Sequence, residues 1–114
     1  MSFSMISGNI QAMGVLAVSI NPASVAANIT AEQTFTVPGL RVGDLVWVNT
    51  PAVGTGAEQL NAGLGVCGAR VSAADTLALR FNNNTAGALD AGTSTYSVLV
   101  VRPGALPAPS GFAP

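Results

Sequence analysis

The sequence predicts an all-β domain, a compact antiparallel β-sandwich or small barrel. Three observations carry the prediction: helical periodicity is weak, β-branched residues are abundant, and Gly, Pro and Asn recur at short intervals between apolar runs. A chain of 114 residues suffices for one such domain, burying roughly 65% of its unfolded surface. About six short strands at this spacing favour a sandwich over a barrel. The expected organisation is an extended N-terminal arm over residues 1–13, a single β domain over 14–102 and an extended, Pro-rich C-terminal tail over 103–114.

The first strand is expected over Gly14–Ile20, where Val15, Ala17 and Ser19 alternate with Leu16, Val18 and Ile20 until Asn21-Pro22 ends it. The second, Ile29–Val37, has a clear period of two. Ile29, Ala31, Gln33, Phe35 and Val37 share one face and Thr30, Glu32, Thr34 and Thr36 the other, with Gln33 the polar exception. Pro38-Gly39 marks a type II turn, because Pro presets the first central dihedral and Gly supplies the positive φ after it. Gly43-Asp44 marks another turn, before the apolar segment Leu45–Asn49. There Leu45, Trp47 and Asn49 oppose Val46 and Val48, so the pattern alone leaves open which side is buried. Trp47, the largest side chain in the chain, is expected in the core, with an interface anchor as the alternative.

Thr50–Gly63 contains Pro51, Gly54, Gly56 and Gly63 and reads as a long loop of the kind that carries contacts. Leu64–Val71 and Thr76–Asn82 form a hairpin connected by Ser72–Asp75. Leu77, Leu79 and Phe81 point inward and Thr76, Ala78, Arg80 and Asn82 outward. Asn82-Asn83-Asn84-Thr85 folds back on its own backbone through Asx turns. The last strand, Thr95–Arg102, is apolar on both faces from Val98 to Val101, which suits a central strand or an edge covered by a neighbour.

Both termini have the composition of reaching segments. The first 13 residues carry no charge and include Phe3, Met5, Ile6 and Met13, so they form either an arm that inserts into a partner or a frayed end. The tail has four Pro and two Gly in its twelve residues, with Leu106 and Phe112 available as anchors on another subunit.

Charged residues make up 8% of the chain, against about 25% in an ordinary soluble domain. The surface is therefore finished with Ser, Thr, Asn, Gln, Gly and Ala, which are cheap to desolvate and suit packing against other subunits. A formal net charge of -1 gives no electrostatic footprint for nucleic acid or an anionic membrane, so neither is expected as a partner. No run reaches the roughly 18 apolar residues of a membrane-spanning helix. Val25-Ala26-Ala27 has the look of a signal-peptide end, but no basic residue precedes Arg41, so cleaved export is not expected.

The composition is poor in catalytic groups. Without His, and with one Cys, the chain offers no zinc, haem or iron–sulfur ligand set, and no cofactor is expected. Cys67, between Val66 and Gly68, reads as a small buried hydrophobe. Without His or Lys there is no Ser-His-Asp, Cys-His or Schiff-base arrangement. Glu32, Asp44, Glu58, Asp75 and Asp90 are dispersed, with no spacing that predicts a carboxylate pair. An enzyme is therefore not expected. Gly63-Leu64-Gly65-Val66-Cys67-Gly68 lacks the Lys-Ser/Thr of a phosphate-binding loop and reads as close packing or strand curvature. Asn28-Ile29-Thr30 and Asn83-Asn84-Thr85 match the glycosylation pattern, which matters only in a secreted eukaryotic chain. The four arginines are expected to pair with carboxylates, Arg41 with Asp44 and Arg70 or Arg80 with Asp75, or to fork onto an adjacent subunit. Trp47 and Tyr96 together are the material for an alternative, a small carbohydrate-binding module.

The run Thr30-Ala31-Glu32-Gln33-Thr34-Phe35-Thr36-Val37-Pro38-Gly39-Leu40, with Gly43-Asp44, resembles small structural proteins of bacteriophage virions. So do the run from Ala69 to Asn83 and the closing Tyr96-Ser97-Val98-Leu99-Val100-Val101-Arg102, and together these cover most of residues 28 to 102. The resemblance implies a capsid decoration or cement protein on the capsid surface, a homotrimer whose partner is the major capsid protein. The interface candidates are then Phe3, Met5, Ile6, Trp47, Arg80, Arg102, Leu106 and Phe112. A tail, baseplate or fibre structural protein is the alternative within the same group.

Overall fold

The computed structural model describes residues 9–51, 60 and 62–105. The described chain is all-β, with strands β1 (Ile10–Ile20), β2 (Thr30–Thr36), β3 (Leu45–Asn49), β4 (Leu64–Ala73), β5 (Thr76–Asn83) and β6 (Ser94–Pro103). They form two antiparallel three-stranded sheets, ordered β1-β6-β3 and β2-β5-β4. The sheets face each other across one core and do not close into a barrel among the described residues. That core joins Ile20, Tyr96 and Val98 of the first sheet to Leu64, Val71, Leu77, Leu79 and Phe81 of the second.

The central strands are β6, apolar on both faces over Val98–Val101, and β5, apolar on its inner face. β6 lies between β1 and β3, the central place that was one of the two expected from its Val98–Val101 run. β5 lies between β2 and β4, and Leu77, Leu79 and Phe81 are fully buried on its inner side. Ala78 belongs to the opposite face yet is equally buried, flanked across the sheet by Thr34 and Arg70. In β2 the expected alternation holds, with Ala31, Gln33 and Phe35 half-buried and Thr30, Glu32, Thr34 and Thr36 exposed. Gln33 escapes a polar penalty by exchanging two hydrogen bonds with the backbone of Ala23: its Oε1 accepts from the N–H at 2.7 Å and its Nε2 donates to the carbonyl at 3.0 Å.

The first strand starts earlier than its alternation suggested. Ile10, Gln11, Ala12 and Met13 belong to the sheet and not to an arm, with one register shift between Ile10 and Ala12. Asn9 fastens that end, its carbonyl accepting from the Gly104 N–H and its Nδ2 donating to the Ala105 carbonyl at 2.7 Å. Residues 1–8 and 106–114, with the expected anchors Phe3, Met5, Ile6, Leu106 and Phe112, lie outside the described residues, as does most of the Thr50–Gly63 loop.

The turns follow their residues. Leu40 N–H donates to Val37 O across Pro38-Gly39, with Gly39 at φ 98° as a type II turn demands. The β4–β5 hairpin is tighter than expected, with only Ala74-Asp75 between its strands, and Asp75 takes φ 58°. Asp75 then ties the two turns together. Its carbonyl accepts from Val37 N–H at 2.8 Å, its N–H donates to Leu40 O at 2.9 Å, and its Oδ1 accepts from Gly39 N–H at 2.8 Å.

At the opposite end of β5, Asn83 is a buried hub. Its Nδ2 donates to the carbonyls of Val25 and Gly87, both at 2.9 Å, while its Oδ1 accepts from Thr85 N–H at 2.9 Å and Thr85 Oγ1 at 2.7 Å. This is the expected Asx turn, and it closes one of the two glycosylation sites, because the amide is consumed inside the fold. The glycine run serves close packing, as expected: a β-carbon on Gly63 would stand 2.5 Å from Thr85 Cγ2, and one on Gly65 would stand 2.9 Å from Asn82 Oδ1. Replacing Asn83 by Ala removes all four of these hydrogen bonds at a buried position, and a loss of about 2–3 kcal/mol is expected in urea unfolding, with the slope of the transition unchanged.

Candidate functional site

The register of the sheet β1-β6-β3 determines what its outer face presents. Tyr96, Val98 and Val100 of β6 point toward the core together with Val46 and Val48 of β3. The residues between them must point away. Two rows result across the sheet: Met13, Val101 and Leu45 lie side by side, then Val15, Leu99 and Trp47. A third row, Ala17, Ser97 and Asn49, is small and polar.

Trp47 is therefore on the outside, 55% exposed, and not in the core as expected. Its strand offered two valines to one face and Leu45, Trp47 and Asn49 to the other; the β-branched pair fits between the sheets, which leaves the indole with Asn49 on the outer side. Met13 at 51%, Val15 at 69% and Leu45 at 48% are its exposed companions, and Leu99 is half-buried among them. Val15, Trp47, Val48, Asn49, Ser97 and Leu99 line an open groove of about 330 Å³. Isolated exposed apolar residues are ordinary, but a contiguous set on one sheet face marks an interaction surface.

The outer face of the other sheet has the opposite character. Thr30, Glu32, Thr34 and Thr36 of β2 lie beside Asn82, Arg80, Ala78 and Thr76 of β5. Arg70 Nε and Nη2 bond the two Glu32 oxygens at 2.9 and 2.8 Å, holding the Glu32 carboxyl below its usual range chiefly through that hydrogen bond. Arg70 thus pairs with Glu32 on the same outer face and not with Asp75, which accepts the Gly39 N–H at the hairpin tip. Arg80 is exposed on this polar side, its guanidinium lying over Gly68, which has no side chain to obstruct it.

Arg102 is engaged within the fold. Its Nε and Nη2 grip Asp44 Oδ1 and Oδ2 at 2.8 and 2.7 Å, and Nη2 also donates to the Gly39 carbonyl at 2.7 Å. Asp44 is the partner expected for Arg41, yet Arg41 contributes only its backbone N–H, to Oδ2 at 2.9 Å. The Asp44 side chain is 2% exposed, and its carboxyl is held below the ordinary value, first by the Arg102 hydrogen bonds and then by the Arg41 N–H. Beside this clamp, Ala12, Gly14, Leu16, Leu40, Val100 and Arg102 are among the residues lining a second open groove, about 270 Å³, on the inner side of β1.

Two further expectations are corrected. Cys67 is exposed and not buried, because a register shift between Val66 and Gly68 places it at a bulge. Tyr96 is fully buried on the core side of β6 while Trp47 is on the outer face, so the two do not form one aromatic platform. The Tyr96 hydroxyl finds no partner among the described residues, and burial raises its pKa. All four described carboxylates have structural partners: Glu32 and Asp44 hold arginines, and Asp75 and Asp90 accept backbone N–H groups from Gly39 and Gly92.

Of these residues, Trp47 was an expected interface candidate and Met13 was expected only as part of an inserting arm, whereas Val15, Leu45 and Leu99 were not foreseen. Their signal lay in the two-face apolar character of β1 and β6, which shows that both faces are to be covered without naming the cover. Comparison with protein-family models, with curated proteins and with solved structures finds no match.

The Asp44 clamp gives a pH dependence with a definite sign. Its folded pKa lies below the unfolded value of about 3.9, so its stabilisation is complete above that value and is lost as pH falls through the folded pKa. Thermal melts from pH 7 to 2 are expected to show Asp44→Asn well below the wild type at neutral pH, with the gap narrowing once pH drops below about 4.

Proposed function

We propose that this chain is a non-enzymatic structural subunit of a bacteriophage virion, a decoration or cement protein seated on the major capsid protein by the outer face of the sheet β1-β6-β3. The observation that carries the reading is the contrast between the two outer faces. One presents Met13, Val15, Leu45, Trp47 and Leu99 without a charge, and the other presents threonines, Asn82 and the Glu32–Arg70–Arg80 group. A subunit bound to a shell needs such a division, with one side to bury and one to leave in water. The resemblance of residues 28 to 102 to small virion proteins supplies the biological setting.

Cementing needs no reaction. Each copy adds buried area across a joint between shell subunits, and many copies together oppose the opening of the shell. The face is cheap to desolvate because it strips water from no charge. Trp47 is the natural anchor, being broad, rigid and half-exposed beside a groove. On this reading Arg80 lies on the face left to solvent, and Arg102 shapes the sheet end through Asp44.

Cosedimentation with capsids assembled without this chain tests the reading. Wild type is expected to bind and to raise the temperature at which the capsids release DNA. Trp47→Ala is expected to weaken binding at least 30-fold, as for an interface anchor worth about 2 kcal/mol or more, whereas Arg80→Ala changes it less than about threefold. No binding to capsids, or equal effects of the two substitutions, overturns the proposal.

A further inference from the structure

Among the described residues, the first strand is an edge without protection. Native sheets guard their edges with charge, proline, bulges, brevity or a covering segment. Three of the four edges here are guarded: β3 is five residues long, β2 carries Glu32 and is covered at Gln33 by Ala23, and β4 has Arg70 and two register shifts. β1 is eleven residues long, has neither charge nor proline, and pairs with β6 in unbroken register from Ala12 to Ile20. Every residue from Gln11 to Ala17 is exposed.

We propose that β1 pairs antiparallel with β1 of a second copy across a two-fold axis at Val15. The strand is self-complementary about that residue. An antiparallel two-fold at Val15 sets Met13 opposite Ala17, Gly14 opposite Leu16 and Ala12 opposite Val18 of the other copy, so that on either side of Val15, within Ala12–Val18, each bulky side chain meets a small one. Val15 meets its own counterpart, an apolar β-branched pair of the kind that stabilises sheets. No charge is brought against its like, because the strand has none. A two-fold contact of this type is isologous, the commonest closed arrangement in homo-oligomers.

The pairing joins two three-stranded sheets into one, ordered β3-β6-β1-β1-β6-β3. Because Val15 is aligned with Leu99 and Trp47, the dimer carries a single apolar row running Trp47, Leu99, Val15 and then the same residues reversed in the second copy. On the inner side, Leu16 is 37% exposed beside the groove at Ala12 and Gly14, and the second copy places its own Gly14 and Leu16 there. The inference stands apart from the capsid reading, since it needs only this chain. It departs from the three-fold assembly that the family resemblance implies.

Native mass spectrometry across micromolar concentrations, with circular dichroism to confirm folding, tests it. Wild type is expected to be a dimer. Val15→Lys and Val15→Glu, at a position open to solvent in the monomer, are each expected to lose the dimer signal, because the two-fold brings like charges together. Mixing the two variants is expected to restore a dimer containing one copy of each, an outcome that only self-contact at position 15 produces. A wild-type monomer or trimer, dimeric single variants, or a mixture that stays monomeric overturns the proposal. Capsid binding is not part of this readout, so failure here and failure of the capsid reading are distinguishable.

Discussion

Val98, Leu99, Val100 and Val101 make β6 apolar on both sides, and a strand of that kind must be covered twice. The inner cover is the second sheet, through Leu77, Leu79 and Phe81. Laterally β6 gains β1 and β3. On the outer side its only cover within the described residues is the side chains of those same two neighbours, Met13, Val15, Leu45 and Trp47, each of which remains about half exposed or more. The domain satisfies its central strand by passing the exposure outward to the flanking strands, and the exposed apolar face is the consequence.

The charged residues keep that arrangement in place while staying off the surface in question. Arg102 ends the inward-facing series Val98, Val100, Arg102, where continued apolar burial would run into the polar turn at Gly39. Its guanidinium closes that end by binding Asp44 and the Gly39 carbonyl, and Asp75 locks the same turn from the facing hairpin. Two turns and the end of the first sheet are thus joined by polar contacts with complementary geometry. The pair is nearly buried on the Asp44 side, where removing one partner would leave the other uncompensated.

Much of the fold was legible because strand sequences alternate and turns need particular residues. β3 has the expected bounds, β6 has its expected central place, and Leu77, Leu79 and Phe81 face inward as their period requires. The site was less legible for a physical reason. Alternation at Leu45–Asn49 separates two faces without ranking them, and size alone points Trp47 inward when the space between the sheets fits Val46 and Val48. Ion pairing was misread by proximity in sequence: Asp44 is three residues from Arg41 but bonds the side chain of Arg102, brought 58 residues along the chain by the sheet. Cys67 was misplaced because its burial was inferred from its neighbours Val66 and Gly68, and the register shift between those two residues places it at an exposed bulge.

The unguarded edge and the apolar outer face belong to the same sheet and share Met13 and Val15 of β1, and their coincidence has an energetic meaning. A face of five apolar residues on one copy is small, and orienting a single small domain on a shell costs much of what such a surface returns. Pairing two β1 strands places two such faces in one sheet, so the second docks as an intramolecular event at high effective concentration. The backbone hydrogen bonds of the paired edges hold the spacing between the two Trp47 anchors, which loops or a flexible linker would leave variable. The absence of charge from β1 serves both contacts: it lets the strand meet its own copy without repulsion and lets the joined face lose water at little cost.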